Sequence, residues 1–248
     1  MGKRNFEITM NKLISVVIPV FNHAHTLERC LVSIAKQSCV NDLELIIVND
    51  GSTDNFQETI ADILNKNSDT KALKPIIINQ SNLGAPAARN RGYKEVHGEY
   101  VIFVDADTIC SPKMIETMKI VLEKNMQASY VYSQFRFGWK KMKGHIFDSQ
   151  LLKQINYIDV TSLIRTKDFV PFDESIKRFQ DWDLWLTMLE QNKIGIFVPQ
   201  ILYKKIVHGR KGISNWLPSW FYNFPWKIKK VIEYEQAKEI ILTKHDLR

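Results

Sequence analysis

The chain has few cysteines, glycines and prolines, and each shortage excludes a class of protein. Three cysteines among 248 residues form no C-x-x-C pair and leave one over. This argues against a disulfide framework and against a zinc site, and it fits reduced thiols in a cytosol. Ten glycines and eight prolines gather into no linker. We therefore expect a single domain.

Long apolar runs are also missing. The longest, Leu13 to Phe21, is too short to span a bilayer and contains Pro19. The first residues, "MGKRNFEITMNKL", lack the apolar segment of a secretory signal. We therefore expect a cytoplasmic protein, either free or peripheral on the inner face of the membrane.

Three common nucleotide and hydrolase motifs are absent. No G-x-G-x-x-G follows a strand-like run, and there is no G-x-x-x-x-G-K-[ST] loop and no G-x-S-x-G turn. These absences remove the commonest dehydrogenase, NTPase and hydrolase interpretations.

Positive charge is in excess, with 34 Lys and Arg against 27 Asp and Glu and a formal net charge of +7. Such a protein attracts anions, including nucleotides, phosphorylated lipids and acidic membranes. Nucleic-acid binding has no support in the sequence other than this net charge, and we therefore expect no nucleic-acid partner.

Apolar strand-like runs alternate with helical patterns through the first half of the chain. The runs "LISVVIPVF", "LELIIVN", "KPIIIN" and "YVIFV" are each followed by a periodic segment. Strands without polar alternation are buried on both faces, so the pattern predicts an α/β fold with a mostly parallel central sheet flanked by helices, Rossmann-like. After about Ser129 the pattern is less regular. A helix is expected near Asp181, and strands at "IGIFV" and "ILYKKIV".

Two aspartates follow the last of these four runs, in "YVIFVDADTI". Ligands of parallel sheets bind at the carboxyl ends of the strands. Asp105 and Asp107 would offer hard oxygen ligands there for a divalent cation that holds a diphosphate. The alternatives are a solvated loop, or an aspartate capping the helix that begins near Ser111-Pro112.

Ordered motifs give the chain a resemblance to the family 2 glycosyltransferases, which have the GT-A fold. The motifs are "ISVVIPVFN", "LELIIVNDGSTD", "NQSNLGAPAARNRG", "GEYVIFVDADT" and "FDESIKRFQDWDLWLTML", followed by the weaker "YKKIVHGRKGIS". The resemblance implies a GT-A domain over residues 1–214, with a donor half at about 13–125 and an acceptor half at about 126–214. Residues 215–248 would form a C-terminal aromatic and basic segment and a helix.

The resemblance also implies which residues bind the sugar-nucleotide donor: Pro19, Val20, Phe21, Asn22, Asp50, Asn82, Gly84, Arg89, Asp105 and Ala106. Phe21 would stack on the base, although a core phenylalanine is equally compatible with the pattern. Asp50 would accept a hydrogen bond from the base, although Asp-Gly is also a standard turn pair. Asn49 replaces a family acid, which leaves a ribose contact there in doubt. Arg89 is either part of an anion site at a helix start or a surface residue without a partner.

For the metal, the resemblance implies Asp107, with His208 as a second-rank ligand. For the general base it implies Asp181, because only the second acid of the family's pair survives in Gln180-Asp181. Asp183 is expected to satisfy backbone N–H groups in the first helical turn.

Two aromatic groups have open interpretations. Trp182 and Trp185 would flank an acceptor sugar, although Trp185 fits the core equally well. The segment Trp216–Lys230 combines aromatics with lysines. It would either contact an anionic membrane peripherally, or pack over the acceptor site or in a dimer contact.

We therefore predict a metal-dependent, inverting glycosyltransferase of cell-envelope polysaccharide biosynthesis. It would use Mn²⁺ or Mg²⁺, a nucleotide-diphosphate sugar (a UDP-sugar by family habit), and a hydroxyl of a glycan or lipid-linked acceptor. The alternatives are a non-catalytic sugar-nucleotide or glycan-binding protein, and a nucleotidyltransferase on a related fold. The latter should carry a Gly-rich, Arg/Lys-bearing segment near its start, which "VVIPVFN" is not.

Overall fold

A computed structural model describes residues 14–66, 68–207 and 229–247. His208 and residues 216–228 of the aromatic and basic segment lie outside these ranges. The described residues form nine strands: β1 Ile14–Val20, β2 Leu43–Asp50, β3 Ile76–Gln80, β4 Tyr100–Phe103, β5 Thr108–Cys110, β6 Ala128–Phe137, β7 Lys140–Met142, β8 Leu163–Arg165 and β9 Ile194–Lys205. The α-helices in the same ranges are α1 Ala24–Ala35, α2 Phe56–Lys66, α3 Ser68–Ala72, α4 Ala85–Tyr93, α5 Met114–Lys124, α6 Ser149–Gln154, α7 Gln180–Glu190 and α8 Lys229–Lys244.

The strands form one sheet in the order β3-β2-β1-β4-β8-β6-β9-β5, with β7 paired to β6. The pairs among β3, β2, β1 and β4 are parallel, and β6 and β9 are parallel to each other. Because β8 is antiparallel to both β4 and β6, six of the nine strands point the same way. The predicted mostly parallel sheet is confirmed.

Strands β1, β2 and β4 are buried on both faces, which explains why they are apolar without alternation. The edge strand β3, predicted to be buried in the same way, leaves Ile76 and Ile77 exposed. On β1, Ile14, Val16 and Ile18 belong to the core cluster that also holds the buried faces of α1, α2 and α5. Val17 points the other way, into a cluster with residues of α4, α6, α7 and α8.

The second half departs from the prediction at β9. The two strands expected at "IGIFV" and "ILYKKIV" are one strand, Ile194–Lys205. Its pairing with β6 is irregular between Val198 and Ile201, where Pro199 falls. A proline cannot donate to the ladder, and an irregularity of this kind accommodates it.

Helix α8 packs against the domain. Val231 and Ile241 are buried, and Ile241 joins the cluster that contains α7. Lys244 Nζ lies 2.7 Å from Asp183 Oδ1, and His245 Nε2 lies 2.9 Å from the same oxygen. Within the three described ranges, no helix is long and apolar enough to cross a membrane.

Candidate active site

The loops after β1 and β2 are joined by hydrogen bonds at the carboxyl edge of the sheet. Asn22, which has a φ of 56°, accepts at Oδ1 from the backbone N–H of Thr53 (2.8 Å) and Asp54 (3.2 Å). The Asn22 backbone N–H donates to Ser52 Oγ at 3.1 Å. The strand ends predicted to converge therefore do so here.

Phe21 lies on the surface beside this junction, with 41% of its area exposed. The alternative of a core phenylalanine is therefore excluded, and the ring is available for stacking. Val20 is buried and Pro19 is half-buried, so these two residues shape the backbone beneath Phe21.

Asp50 is buried and its carboxylate is engaged by three protein donors. Oδ1 accepts from Gln80 Nε2 at 2.7 Å and from the Leu83 N–H at 2.9 Å, and Oδ2 accepts from the Gly84 N–H at 2.9 Å. Asp50 therefore holds the turn that leads into α4. A contact with a base would use the remaining acceptor capacity, since a carboxylate has about four lone-pair sites.

The same turn requires its glycines. Gly51 has a φ of 69°, and a Cβ there would lie 2.7 Å from the Asn82 backbone nitrogen. Gly84 precedes α4 with a φ of 94°, a conformation that other residues rarely adopt. Asn82 itself is exposed at this edge.

Arg89 is buried and bridges the two halves of the chain, so the alternative of a surface residue without a partner is excluded. Its Nη2 lies 2.8 Å from Asp105 Oδ1, and its Nη1 donates to Gln180 Oε1 at 2.9 Å. The guanidinium stacks on Phe172 at 5.3 Å. Because both terminal nitrogens serve protein acceptors, Arg89 ties the end of β4 to the start of α7.

Asp105 is neutralised from two sides. Besides Arg89, Lys205 Nζ lies 3.0 Å from its Oδ2, and the same nitrogen lies 2.6 Å from Asp159 Oδ2. Burial opposes ionisation of Asp105, but Lys205 and Arg89 outweigh it and hold its pKa below the usual range. Asp105 is thus an ionised and partnered carboxylate.

Asp107 is in the opposite situation. Its Oδ1 is buried, and within the described part of the chain this oxygen has no hydrogen-bond partner. Burial, and then the neighbouring Asp105, raises the pKa of Asp107 to about 6. Ala106, between the two acids, is buried. Asp107 therefore presents an unpartnered oxygen, a hard ligand for a divalent cation.

Asp181 lies in the first turn of α7. Its Oδ1 accepts from Asn156 Nδ2 at 2.9 Å and from the Trp182 backbone N–H at 3.0 Å. Burial, and then the charge of Asp159, raises the pKa of Asp181 to about 6, although Lys205 opposes this. An acid with this pKa is ionised at neutral pH and is basic enough to accept a proton.

The structure does not place Trp182 and Trp185 where they could flank an acceptor sugar. They are 1% and 0% exposed, and their indole N–H groups donate to the carbonyls of Leu152 and Ile158. Trp185 stacks on Tyr130 at 4.4 Å. Both are core residues, since stacking on a sugar needs an accessible ring face.

Asp183 also differs from expectation. It is buried, and its carboxylate is paired with Lys244 and His245 of the C-terminal region. Its carboxylate was expected to accept from backbone N–H groups of the first helical turn, but in these contacts it is paired with two side chains instead.

Sequence reasoning did not identify Lys205 or Asp159, which link the carboxylates of the site. No motif marks them. The available signal was strand alternation, because Tyr203 and Lys205 share a face of β9 and both contact Asp159, at 3.0 Å and 2.6 Å. A lysine on the face of a strand that also carries a buried tyrosine needs a carboxylate partner.

Comparison with known proteins agrees with this architecture. The sequence profile described as "Glycosyl transferase family 2" matches residues 15–175. The chain is 41% identical over 128 residues to the uncharacterized glycosyltransferase YibD of Escherichia coli K12, covering 51% of this chain and 35% of that protein. It therefore spans about a third of YibD.

Two relatives match over most of their length. An uncharacterized glycosyltransferase of Haemophilus influenzae is 27% identical over 235 residues, 88% of this chain and 90% of that protein. The Escherichia coli protein WfgD, named as a UDP-Glc:alpha-D-GlcNAc-diphosphoundecaprenol beta-1,3-glucosyltransferase, is 26% identical over 210 residues, 82% of this chain and 80% of that protein.

Solved structures show the same fold. Staphylococcus aureus TarS 1–349 in complex with UDP-GlcNAc has a TM-score of 0.68 at 18% identity, over 94% of this chain and 72% of that chain. The mannosyltransferase PcManGT of Pyrobaculum calidifontis, in complex with GDP-Man and Mn²⁺, has a TM-score of 0.64 at 16% identity, over 82% of this chain and 59% of that chain.

Proposed function

Because the chain belongs to glycosyl transferase family 2, we propose that it moves a sugar from a nucleotide-diphosphate sugar to a hydroxyl group. The donor is a UDP-sugar, the configuration at the anomeric carbon is inverted, and the acceptor is a glycan or a lipid-linked glycan. TarS with UDP-GlcNAc and the relative WfgD, named for a UDP-Glc donor and a diphosphoundecaprenol acceptor, support the choice of donor and acceptor.

One observation carries the proposal. Asp107 and Asp181 are half-buried acids whose pKa values are both raised to about 6. A carboxylate with a raised pKa costs folding free energy when it is ionised at neutral pH, and carboxylates of this kind are concentrated at functional sites. Arg89 connects the segment that carries Asp107 to the segment that carries Asp181, since it donates hydrogen bonds to both Asp105 and Gln180.

Asp107 fits a divalent cation by its unpartnered buried oxygen. Among residues 14–66, 68–207 and 229–247, no group of three or more His, Cys, Asp or Glu side chains could hold a metal without further ligands. That suits Mg²⁺ or Mn²⁺, which are commonly bound by one or two carboxylates together with substrate phosphates. When bound, the cation would stabilise the charge of the diphosphate leaving group as a Lewis acid. His208 remains a predicted second ligand.

The donor rests on the edge formed by the β1 and β2 loops. Phe21 offers its exposed ring to the base, and Asp50 keeps the Asn82–Gly84 turn in place while its free acceptor capacity receives the base N–H. Arg89 and Lys205 hold Asp105 ionised, so that this carboxylate accepts a hydrogen bond from the ribose without taking up a proton.

Asp181 removes the proton of the acceptor hydroxyl as its oxygen attacks the anomeric carbon. The bond from that carbon to the diphosphate oxygen breaks, and the nucleoside diphosphate leaves with the bonding electron pair. The proton stays on Asp181 Oδ2, because Oδ1 is already engaged by Asn156 and the Trp182 N–H. A single displacement of this kind inverts the configuration.

The test is a screen of purified protein against UDP- and GDP-sugars with Mn²⁺, in which the released nucleotide is identified. A transferase should release UDP from a UDP-sugar, slowly to water and faster with a lipid-linked acceptor. A nucleotidyltransferase would instead consume a nucleoside triphosphate and release pyrophosphate. A binding protein would give a thermal shift with a sugar nucleotide but release nothing, and either outcome would refute the proposal.

A further inference from the structure

The hairpin between β6 and α6 carries an unusual surface. Residues 136–147 read RFGWKKMKGHIF, with four Arg and Lys and no Asp or Glu. The four cations, Arg136, Lys140, Lys141 and Lys143, are exposed. This segment, which we call the basic hairpin, has no part in the proposed transfer reaction.

Two large apolar side chains project from the same segment. Trp139 is 90% exposed at the tip between β6 and β7, and Ile146 is 82% exposed after β7. A tryptophan side chain with this degree of solvent exposure does not pack in the core. An indole among lysines is the combination that favours the headgroup region of an anionic bilayer, where the ring is half buried and the ammonium groups meet phosphates.

The hairpin tip is held in place by the sheet. The Gly138 N–H donates to the carbonyl of Lys205 at 3.0 Å, and Arg136 donates to the carbonyl of Trp139 at 3.5 Å. In the ladder, Phe137 lies opposite Lys205, the residue that neutralises Asp105. A surface bound at Trp139 would therefore lie beside the carboxylate site.

We propose that the basic hairpin is a membrane contact: Trp139 and Ile146 enter the interface of an anionic bilayer, and the four cations bind its phosphate groups. The partner is a lipid surface and not a soluble polyanion, because a polyanion site has no use for two exposed apolar side chains. The contact is independent of the transfer reaction and is measured without donor or acceptor.

The experiment is sedimentation of the full chain with vesicles of phosphatidylcholine that contain about one third phosphatidylglycerol, at low ionic strength. The triple variant Lys140→Glu, Lys141→Glu, Lys143→Glu should bind about 100-fold more weakly, and Trp139→Ser about tenfold more weakly. Vesicles of phosphatidylcholine alone should bind the wild type poorly.

Matched controls are available on the same chain. Lys36→Glu, Lys71→Glu, Lys94→Glu makes the same change in net charge at exposed positions elsewhere, and Met126→Ser removes another side chain that is 76% exposed. Both should bind vesicles nearly as the wild type does. Thermal unfolding of every variant should match the wild type, since the altered side chains are exposed.

Three results would overturn the proposal. The first is vesicle binding by the hairpin triple variant equal to that of the wild type. The second is an equal loss in the control triple variant, which would indicate net charge alone. The third is a protein that does not bind vesicles but binds dextran sulfate with an affinity unchanged by Trp139→Ser. That result would identify a polyanion partner.

Discussion

Aspartates at the ends of β2 and β4, the two parallel strands that flank β1, have opposite surroundings. Asp50, at the end of β2, accepts three hydrogen bonds from its own protein. Asp107, two residues past Asp105 at the end of β4, has a buried oxygen without a partner in the described chain. The first carboxylate shapes a loop, and the second is the one that we propose as a metal ligand.

The same contrast recurs within one turn of α7. Asp183 is paired with Lys244 and His245. Asp181, two residues earlier, accepts from two neutral donors among the described residues and has its pKa raised to about 6. We therefore propose that the number and charge of a carboxylate's protein partners separate structural acids from chemical ones in this protein, and mutations can test that separation.

The largest effect is expected at Asp107. Asp107→Ala should lower kcat/KM for transfer by about 10³-fold or more, because a carboxylate that holds a metal on the diphosphate stabilises the transition state by several kcal/mol. Steady-state kinetics with saturating Mn²⁺ measure this, with Asp62→Ala, an exposed aspartate, as the control. If neither EDTA nor Asp107→Ala slowed transfer, the metal role of Asp107 would be disproved.

Asp181 and Asp183 should separate chemistry from stability. Asp181→Asn should lower kcat by about 10²–10⁴-fold with little change in nucleotide affinity, since a general base acts in the chemical step. Asp183→Asn should instead lower the melting temperature, because Lys244 and His245 lose a buried partner. For both variants, steady-state kinetics give kcat, calorimetric titration with UDP gives the nucleotide affinity, and thermal unfolding gives the melting temperature. Matching effects of the two variants on kcat would mean that Asp181 is misassigned.

Asp50→Ala should weaken donor binding by about 1–3 kcal/mol, through loss of the base contact and of the acceptor for the Leu83 and Gly84 N–H groups. Urea unfolding should show a loss of stability of similar size. Titration with UDP gives the affinity, and kcat at saturating donor should change little. If Asp50→Ala lowered kcat and left donor affinity unchanged, Asp50 would act in the chemical step, and the proposed contrast between Asp50 and Asp107 would be wrong.

The pH dependence follows from the raised pKa of Asp181. At saturating donor and metal, kcat should rise with pH through about 6, since the base acts only when ionised. Asn156→Leu removes a hydrogen bond that favours the ionised form, so the rise should move to higher pH. Measurement of kcat for the wild type and for Asn156→Leu between about pH 5 and pH 9 tests the position of the rise and its shift. A rise unmoved by Asn156→Leu would assign it to another group.

The smallest effect is expected at His245, whose two ring nitrogens face Asp183 and Glu190. Burial lowers its pKa, but these two acids outweigh burial and raise it. A raised folded-state pKa stabilises the fold fully below the unfolded value of about 6.5, and this is lost as pH rises through the folded value. His245→Gln should therefore lower the melting temperature by a few degrees at about pH 6 and by less at about pH 9. A constant difference would show that His245 is not charged.

Much of the first half could be predicted from the sequence. Its strands are apolar runs long enough to show a pattern, and the residues after them are the ones that meet at the edge. The three-residue strands β5, β7 and β8 escaped prediction because so short a segment carries no periodicity. The resemblance identified Asp107 and Asp181 as candidates, but not their different surroundings.

Those surroundings depend on distant parts of the chain. Lys205 contacts Asp105 across 100 residues of sequence, and Arg89 meets Gln180 across 91. No local pattern records such pairs. For the same reason the two tryptophans beside Asp181 could not be assigned, since burial of Trp182 depends on α6, whose Leu152 accepts its N–H.

The pairing of Asp183 with Lys244 and His245 has a consequence for how the protein is made. Its partners follow Asp183 by 61 and 62 residues. At about 5–20 residues per second, a ribosome adds that length in roughly 3–12 s. During this delay the nascent α7 carries an acid that its final fold buries, without the cations that neutralise it. We therefore expect α7, and Asp181 with it, to dock only after residues 244 and 245 have been made, so that the proposed catalytic edge is completed after the donor edge has formed.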